Sequence, residues 1–225
     1  PATTPGESGL LASLAREAKE KLSSRQAVDQ GRQERDRRVH EALERVLKFL
    51  TPFIRHVNAV EPAIKRSYRL DARTVYANLK WQGATVDSRR QSMAEGAHLA
   101  YVGFGVNLRA PEAVLLKRPW GHFDALKREL QHLRLRVLDD LDEIYKKPKQ
   151  EWLEARLDAA LPLQITFQGN YETGRIAVTT RNLEDFGTTS ASLAPEDITQ
   201  VLLDDLGLFL IGRADKLPAI LRAAG

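Results

Sequence analysis

A cluster of cationic and aromatic side chains lies in the middle of the chain. Basic residues recur between positions 65 and 90, and Tyr68, Tyr76 and Trp81 lie among them. Cationic side chains contact phosphates and aromatic faces stack on bases, so the region 65–118 could bind nucleic acid. The alternative is a solvated sheet edge and helix end with core aromatics, since no zinc finger, RRM signature or KH loop accompanies the cluster. The candidate nucleic-acid-binding residues are Lys65, Arg66, Arg69, Arg73, Lys80, Trp81, Arg89 and Arg90.

Signatures of catalysis and of metal binding are absent from the sequence. The chain has no cysteine, and its five histidines include no HExxH pair. No Gly-x-Ser-x-Gly motif and no phosphate-binding loop are present. The acidic run from Asp139 to Glu143 is typical of a solvated helix face rather than of a cation site. We therefore expect no cofactor and no metal, and favour a protein that is not an enzyme, although distant carboxylates or histidines could still form an acid and base pair.

A near-heptad seam of apolar residues predicts one helix in the second half of the chain. Its members are Phe123, Leu126, Leu130, Leu133, Val137, Leu141 and Ile144, spaced three and four residues apart, and Pro148 would end the helix. Such a seam could join two copies of the chain in a dimer. It could equally pack within one chain as part of a helical hairpin over a sheet, and the sequence leaves both alternatives open.

The N-terminal part is predicted to be a helical arm over residues 10–70, after a disordered terminus at residues 1–9. Leu10, Leu11, Leu14, Ala18 and Leu22 form an apolar face that needs a partner surface. The stretch Ser23 to Arg38 has no such face and is either a solvated helix or a loose connection. The strongest helical period runs from Val39 to Val57. We expect bends at Pro52 and Pro62, and helix continuing to about Tyr68.

The remainder, residues 71–225, is predicted to be a body with about five strands and a few helices. Val75–Arg90 and His98–Leu108 read as an antiparallel pair joined by a turn at 93–96. Strand candidates at Leu163–Gln168, Gly174–Thr180 and Gly187–Leu193 follow a short predicted helix that contains Trp152, Leu153, Leu157 and Leu161. A last helix should begin near Pro195 and end near Gly212. The expected fold class is α+β, with a helical N-terminal arm followed by an antiparallel sheet covered on one face by helices.

The charges are distributed unevenly, although the net charge is only +4. Residues 51–120 carry 11 basic and 5 acidic side chains, whereas residues 151–225 carry 6 and 11. One interpretation is an anion-binding surface in the middle of the chain. The other, which we favour, is that the two regions neutralise each other within the fold or across a dimer.

These observations favour a binding protein in the cytoplasm. No apolar stretch approaches the roughly 20 residues that a membrane-spanning helix needs, so no integral membrane association is expected, and the lack of cysteine points to a reducing compartment. We predict a non-enzymatic interaction or adaptor protein that forms a homodimer through its helices, with a coiled coil as one form of pairing, and that binds a protein partner. Nucleic acid as the partner is the alternative.

Overall fold

The computed structural model describes residues 9–93, 96–121, 123–147 and 151–222. The expected disordered terminus at residues 1–9 lies almost wholly outside the described residues, as do the middle of the 93–96 turn and Pro148. The α-helices are α1 (Leu10–Val60), α2 (Phe123–His132), α3 (Leu141–Lys146) and α4 (Gln200–Leu210). The strands are β1 (Ala63–Ile64), β2 (Tyr68–Arg69), β3 (Val75–Tyr76), β4 (Leu79–Met93), β5 (Gly96–Arg109), β6 (Val114–Pro119), β7 (Trp152–Leu157), β8 (Ala160–Asn170), β9 (Arg175–Arg181) and β10 (Thr188–Leu193).

One antiparallel sheet of six strands forms the centre of this α+β fold, in the order β1, β4, β5, β8, β9, β10. The predicted pairing of β4 with β5 is confirmed, and so are the three strand candidates that became β8, β9 and β10. The register places Thr85, Gly105, Gln164, Arg181 and Thr188 in one row across five strands. Because side chains alternate between the two faces of a strand, this row fixes which residues share a face.

Helices cover one face of the sheet, as the sequence predicted. Val39, Leu43, Val46 and Leu50 of α1 are fully buried, and their spacing of three and four residues keeps them on the side that meets the strands. α4 packs beside α1 on the same face. A Cβ atom on Gly207 of α4 would lie only 3.2 Å from the ring of Phe53, so the missing side chain lets the two helices approach each other.

α1 is a single helix of 51 residues that continues through Pro52. The prediction that helix extends to Tyr68 is wrong. α1 ends at Val60 because Glu61 adopts the left-handed conformation, with φ of 48°, and Pro62 follows. Despite this length, no helix in the described part of the chain has the apolar character that crossing a membrane requires.

The expected helix over residues 123–144 is two short helices separated by a turn at residues 133–134 and a short extended segment after it, so the predicted continuous seam is wrong. Between α2 and α3, Arg134 has a positive φ of 55° and Val137 pairs with Leu157 of β7. α3 then starts afresh at Asp140, whose carboxylate accepts hydrogen bonds from two backbone N–H groups of the first turn. The local sequence Leu-Arg-Leu-Arg-Val at 133–137 alternates with a period of two, which suits this extended stretch and conflicts with the seam.

The predicted short helix around Trp152 is also wrong, because residues 152–157 form β7. β7 pairs with β6. This two-stranded sheet follows the paired ends of β5 and β8, so it extends that pair along the strand direction. Alternating burial explains the strand: Leu153, Ala155 and Leu157 are buried and the residues between them are exposed or partly so. The last helix appears as expected, with a short 3₁₀ helix at Pro195–Asp197 before α4, and Gly212 after it at φ of 72°.

Candidate functional site

The predicted nucleic-acid-binding residues do not form one surface. Trp81 is 3% exposed and its indole N–H donates to the side-chain oxygen of Asn58 at 2.9 Å, so its ring cannot stack on a base. The guanidinium of Arg66 lies over the ring of Phe209 at 3.8 Å and donates to the hydroxyl of Tyr68. These residues serve packing within the chain.

The other predicted cations are divided between different parts of the fold. Arg73 lies over the ring of Trp152 at 3.9 Å, and Arg90 lies 3.8 Å from Glu44 of α1. Lys65 and Arg69 are exposed near the short strands β1 and β2. Lys80 and Arg89 occupy the face of β4 opposite to buried Trp81 and Ala84, so only these two share the sheet face that the helices leave uncovered.

The predicted oligomerisation residues are used inside the chain. Leu126, Leu130, Leu133 and Leu141 are all less than 8% exposed. Phe123 is partly buried, with its ring centroid 4.3 Å from that of Tyr145, and Val137 and Ile144 also pack against the core. This set therefore offers no continuous helix face to a second chain.

Two other surfaces remain open. The first is the projecting segment, defined as residues 12–33 of α1, every one of which is exposed. At 1.5 Å per residue it is about 33 Å long. Leu14 is 48% exposed and Leu22 is 58% exposed, so the apolar face noted in the sequence has no covering surface among the described residues.

The second surface is the open face of the sheet, opposite to α1 and α4. Its side chains are small, polar or charged, and several of them line a cleft of about 510 Å³. Gly103 and Gly105 lie in the middle of the central strand β5, and neither has a positive φ. Because they have no side chains, the cleft extends down to the backbone of this strand. The cleft is lined by Thr85, Asp87, Tyr101, Gly103, Phe104, Gly105, Val106, Asn107, Arg134, Pro162, Leu163, Gln164, Thr166, Gln168 and Arg181.

Two arginines meet at one end of this cleft, and we call them the arginine pair: Arg134 and Arg181. A terminal nitrogen of Arg181 donates to the side-chain oxygen of Gln164 at 3.2 Å, while its Nε is buried and has no partner among the residues that the structure describes. Burial lowers the pKa of Arg181, and the charge of Arg134 lowers it further. Neither arginine forms an ion pair with any carboxylate of the residues that the structure describes.

A buried asparagine holds the arginine pair in place. Asn182 follows Arg181 and is fully buried, and its amide donates to the backbone carbonyl of Leu133 at 2.8 Å and to that of Pro162 at 3.1 Å. Its oxygen accepts from the N–H of Gly187 at 3.2 Å. The amide therefore ties the turn that carries Arg134 to the strands that carry Arg181.

The opposite end of the cleft carries the only carboxylate among its lining residues. The hydroxyl of Tyr101 donates to Asp87 at 2.6 Å, and this hydrogen bond raises the pKa of Tyr101. Between the two ends the polar side chains are amides and hydroxyls. This arrangement can bind a polar molecule with a negative charge at one end.

Sequence reasoning missed Arg134, Arg181 and the amide residues of β8. The alternation in Leu163–Gln168 places Gln164, Thr166 and Gln168 on one face, but an exposed polar face is the ordinary outcome for a half-buried strand and does not by itself indicate a site. The sequence gives no sign that residue 134 lies beside residue 181. Elsewhere in the described ranges, no three His, Cys, Asp or Glu side chains converge as metal ligands would.

Comparison with protein-family models, with curated proteins and with solved structures finds no match for this chain.

Proposed function

We propose that this chain is a non-enzymatic association protein that forms a homodimer through its projecting segment. The observation that supports this proposal is the exposure of Leu14 and Leu22 on the projecting segment, which does not pack against the sheet. The segment continues a helix whose other half is packed on the sheet, so it needs no nucleus of its own, but it gains no tertiary packing from the rest of the described chain. A second helix against this face would supply that packing.

A second copy of the chain can fit this face in the antiparallel direction. If two copies cross at Ala18, whose small side chain permits close approach, Leu14 of each copy lies near Leu22 of the other. Glu17 and Lys21 lie on the same flank of this face, so Glu17 of each copy comes near Lys21 of the other. This pairing of opposite charges adds to the apolar contact.

Replacing the two leucines tests this proposal. We expect the wild-type chain to sediment as a dimer, and the double variant Leu14→Glu, Leu22→Glu to sediment as a monomer. Burying each leucine contributes about 1 kcal/mol for half of its surface, so four leucines per dimer correspond to about a thousandfold change in the dissociation constant. The helical circular dichroism signal of the variant should also fall, because the unpaired segment frays.

The matched control is Ala12→Glu, Ala27→Glu, which adds the same charges on the far side of the helix, where both alanines are exposed. This control should remain a dimer. A wild-type chain that is monomeric at 100 μM, or a leucine variant that dimerises like the control, would contradict the proposal.

The other sequence-based expectations stay proposals. A protein partner for the dimer, and a location in the cytoplasm, draw support only from composition and the lack of cysteine. Nucleic-acid binding by the predicted residues draws little support from their placement. It would need the open face of the sheet, where Lys80 and Arg89 lie.

A further inference from the structure

The arginine pair has two positive charges that the described part of the protein does not neutralise. Arginine side chains in folded proteins are usually paired or fully solvated, because a half-buried cation is costly without an anion. Arg134 is exposed, whereas Arg181 is partly buried and its Nε has no acceptor among the described residues, although the chain carries 30 acidic residues. That Nε is shielded from solvent, so an anion seated between the two guanidinium groups would accept from their terminal nitrogens and offset their mutual repulsion.

The backbone that carries Arg134 is strained. Both Arg134 and Asn182 have positive φ values, of 55° and 53°. Asparagine adopts this conformation readily, but for Arg134 it costs about 1 kcal/mol or more and persists where surrounding contacts enforce it. The buried amide of Asn182, which donates to the carbonyl of Leu133, supplies such a contact, so the backbone beside both arginines is fixed before any ligand arrives.

Between the arginine pair and Asp87 the cleft is neutral and rich in hydrogen-bonding groups. Gln164 uses its oxygen for Arg181, which leaves its NH₂ group for the cleft, and Thr166 and Gln168 follow it on the same face of β8. Glycines at 103 and 105 leave space above β5. Amides and hydroxyls side by side offer both donors and acceptors, which matches the hydroxyl groups of a polyol.

We infer that the open face binds a small anionic polyol, such as a phosphorylated or carboxylated sugar, with its charged group on Arg134 and Arg181. The hydroxyl groups of the ligand lie along Gln164 and Thr166. A nucleic-acid strand fits less well, because its regularly spaced phosphates need cations along the whole path. Among the residues that line the cleft, the cations lie only at the end with Arg134 and Arg181, and Asp87 lies at the far end; Arg89 is on the same sheet face beside Tyr101 but outside this lining.

A titration of the full chain tests the inference. The probes are inorganic phosphate, glucose 6-phosphate, glucuronate and glucose, added at constant ionic strength and followed by the arginine Nε–H resonances in nuclear magnetic resonance spectra. We expect phosphate to shift the resonance of Arg181, at least one of the two anionic sugars to bind at least tenfold more tightly than phosphate, and glucose to leave the spectrum unchanged. No binding of either anionic sugar below 10 mM would overturn the inference.

Variants locate the site. Arg181→Gln and Arg134→Gln should each raise the dissociation constant of the tighter anionic sugar at least tenfold, because each removes one charged donor. Arg175→Gln is the matched control, since Arg175 lies on the same strand but binds Ser192 outside the cleft. This control should stay within twofold of wild type.

Two results would contradict the assignment. One is an Arg181→Gln protein, folded by circular dichroism, that binds the sugar as tightly as the control. The other is tighter binding of a 12-nucleotide single-stranded DNA than of either sugar at 150 mM salt, with a steep dependence on salt, which would assign the open face to nucleic acid. Neither result depends on the dimer proposed above, because the open face and the projecting segment belong to different parts of the fold.

Discussion

Replacing Asn182 by alanine should be among the most destabilising single changes in the chain. The side chain is fully buried and makes three hydrogen bonds to backbone groups from three separate segments. Removing it leaves the carbonyls of Leu133 and Pro162 without this donor and the N–H of Gly187 without this acceptor. Its backbone conformation, with φ of 53°, is also one that alanine adopts poorly.

The expected loss in the free energy of unfolding is about 3–5 kcal/mol. Each of the three hydrogen bonds contributes about 1 kcal/mol, with more where a buried group stays unpaired. The left-handed conformation adds about 1 kcal/mol for alanine. Equilibrium unfolding in urea measures the change, and at a slope near 2 kcal/mol per molar urea the midpoint should fall by about 2 M.

Two further variants at this position separate the causes. Asn182→Gly removes the same hydrogen bonds but tolerates the positive φ, so it should be about 1 kcal/mol more stable than Asn182→Ala. Asn182→Asp keeps an acceptor for Gly187 and loses both donors, so it should remain strongly destabilised. An alanine variant within 1 kcal/mol of wild type, or a glycine variant less stable than the alanine one, would refute this account of the residue.

Two other predictions concern Gly169, near the end of β8, and Tyr171, just after that strand. Gly169→Ala should lower the free energy of unfolding in urea by about 1–3 kcal/mol, because the new Cβ atom would lie 3.0 Å from Val39 and 3.1 Å from Leu43. An unchanged midpoint of urea unfolding would mean that α1 shifts to make room for the methyl group. Burial raises the pKa of Tyr171 to about 12, and its hydroxyl donates to the carbonyl of Leu99 at 2.6 Å. The stability that this group contributes is therefore present below about pH 10 and is lost as the pH rises toward 12. The Tyr171→Phe protein should be less stable than wild type at pH 8. Between pH 10 and 12, its free energy of unfolding should fall less than that of wild type. Equal slopes for the two proteins above pH 10 would contradict this prediction.

Local patterns predicted most of the main sheet and the covered half of α1. The run from Val39 to Val57 keeps one apolar face for five turns, and β8 and β9 alternate cleanly between buried and exposed residues. In both cases one partner surface decides the burial of every residue in the element. Local period and tertiary environment then agree, which is why the sequence was sufficient.

The same reasoning failed where two environments meet within a few residues. Between Phe123 and Ile144 the apolar residues fit a helical seam, yet Leu133 lies buried in the turn after α2, and Leu135 lies buried in the short extended segment that leads to Val137 and its pairing with β7. Pairing with Leu157, which lies 20 residues from Val137 in the sequence, decides this conformation. A pairing of that kind is a property of the folded chain, and a short apolar run does not distinguish it from a helix turn.

The distribution of charged residues along the sequence predicted the ion pairs of the fold only in part. The expected neutralisation of the basic middle by the acidic C-terminal part is only partial: Arg109 lies 3.7 Å from Asp158 and Lys117 pairs with Glu154, whereas Arg118 is paired with Asp71 and Glu129.

Arg181 lies within the acidic C-terminal part itself and still lacks a carboxylate partner among the described residues. Because the chain has nearly as many acidic as basic residues, a carboxylate could have stood next to Arg181. Arg134 lies there instead. The location of this uncompensated charge, rather than the net charge of +4, is what points to an anion as the ligand of the open face.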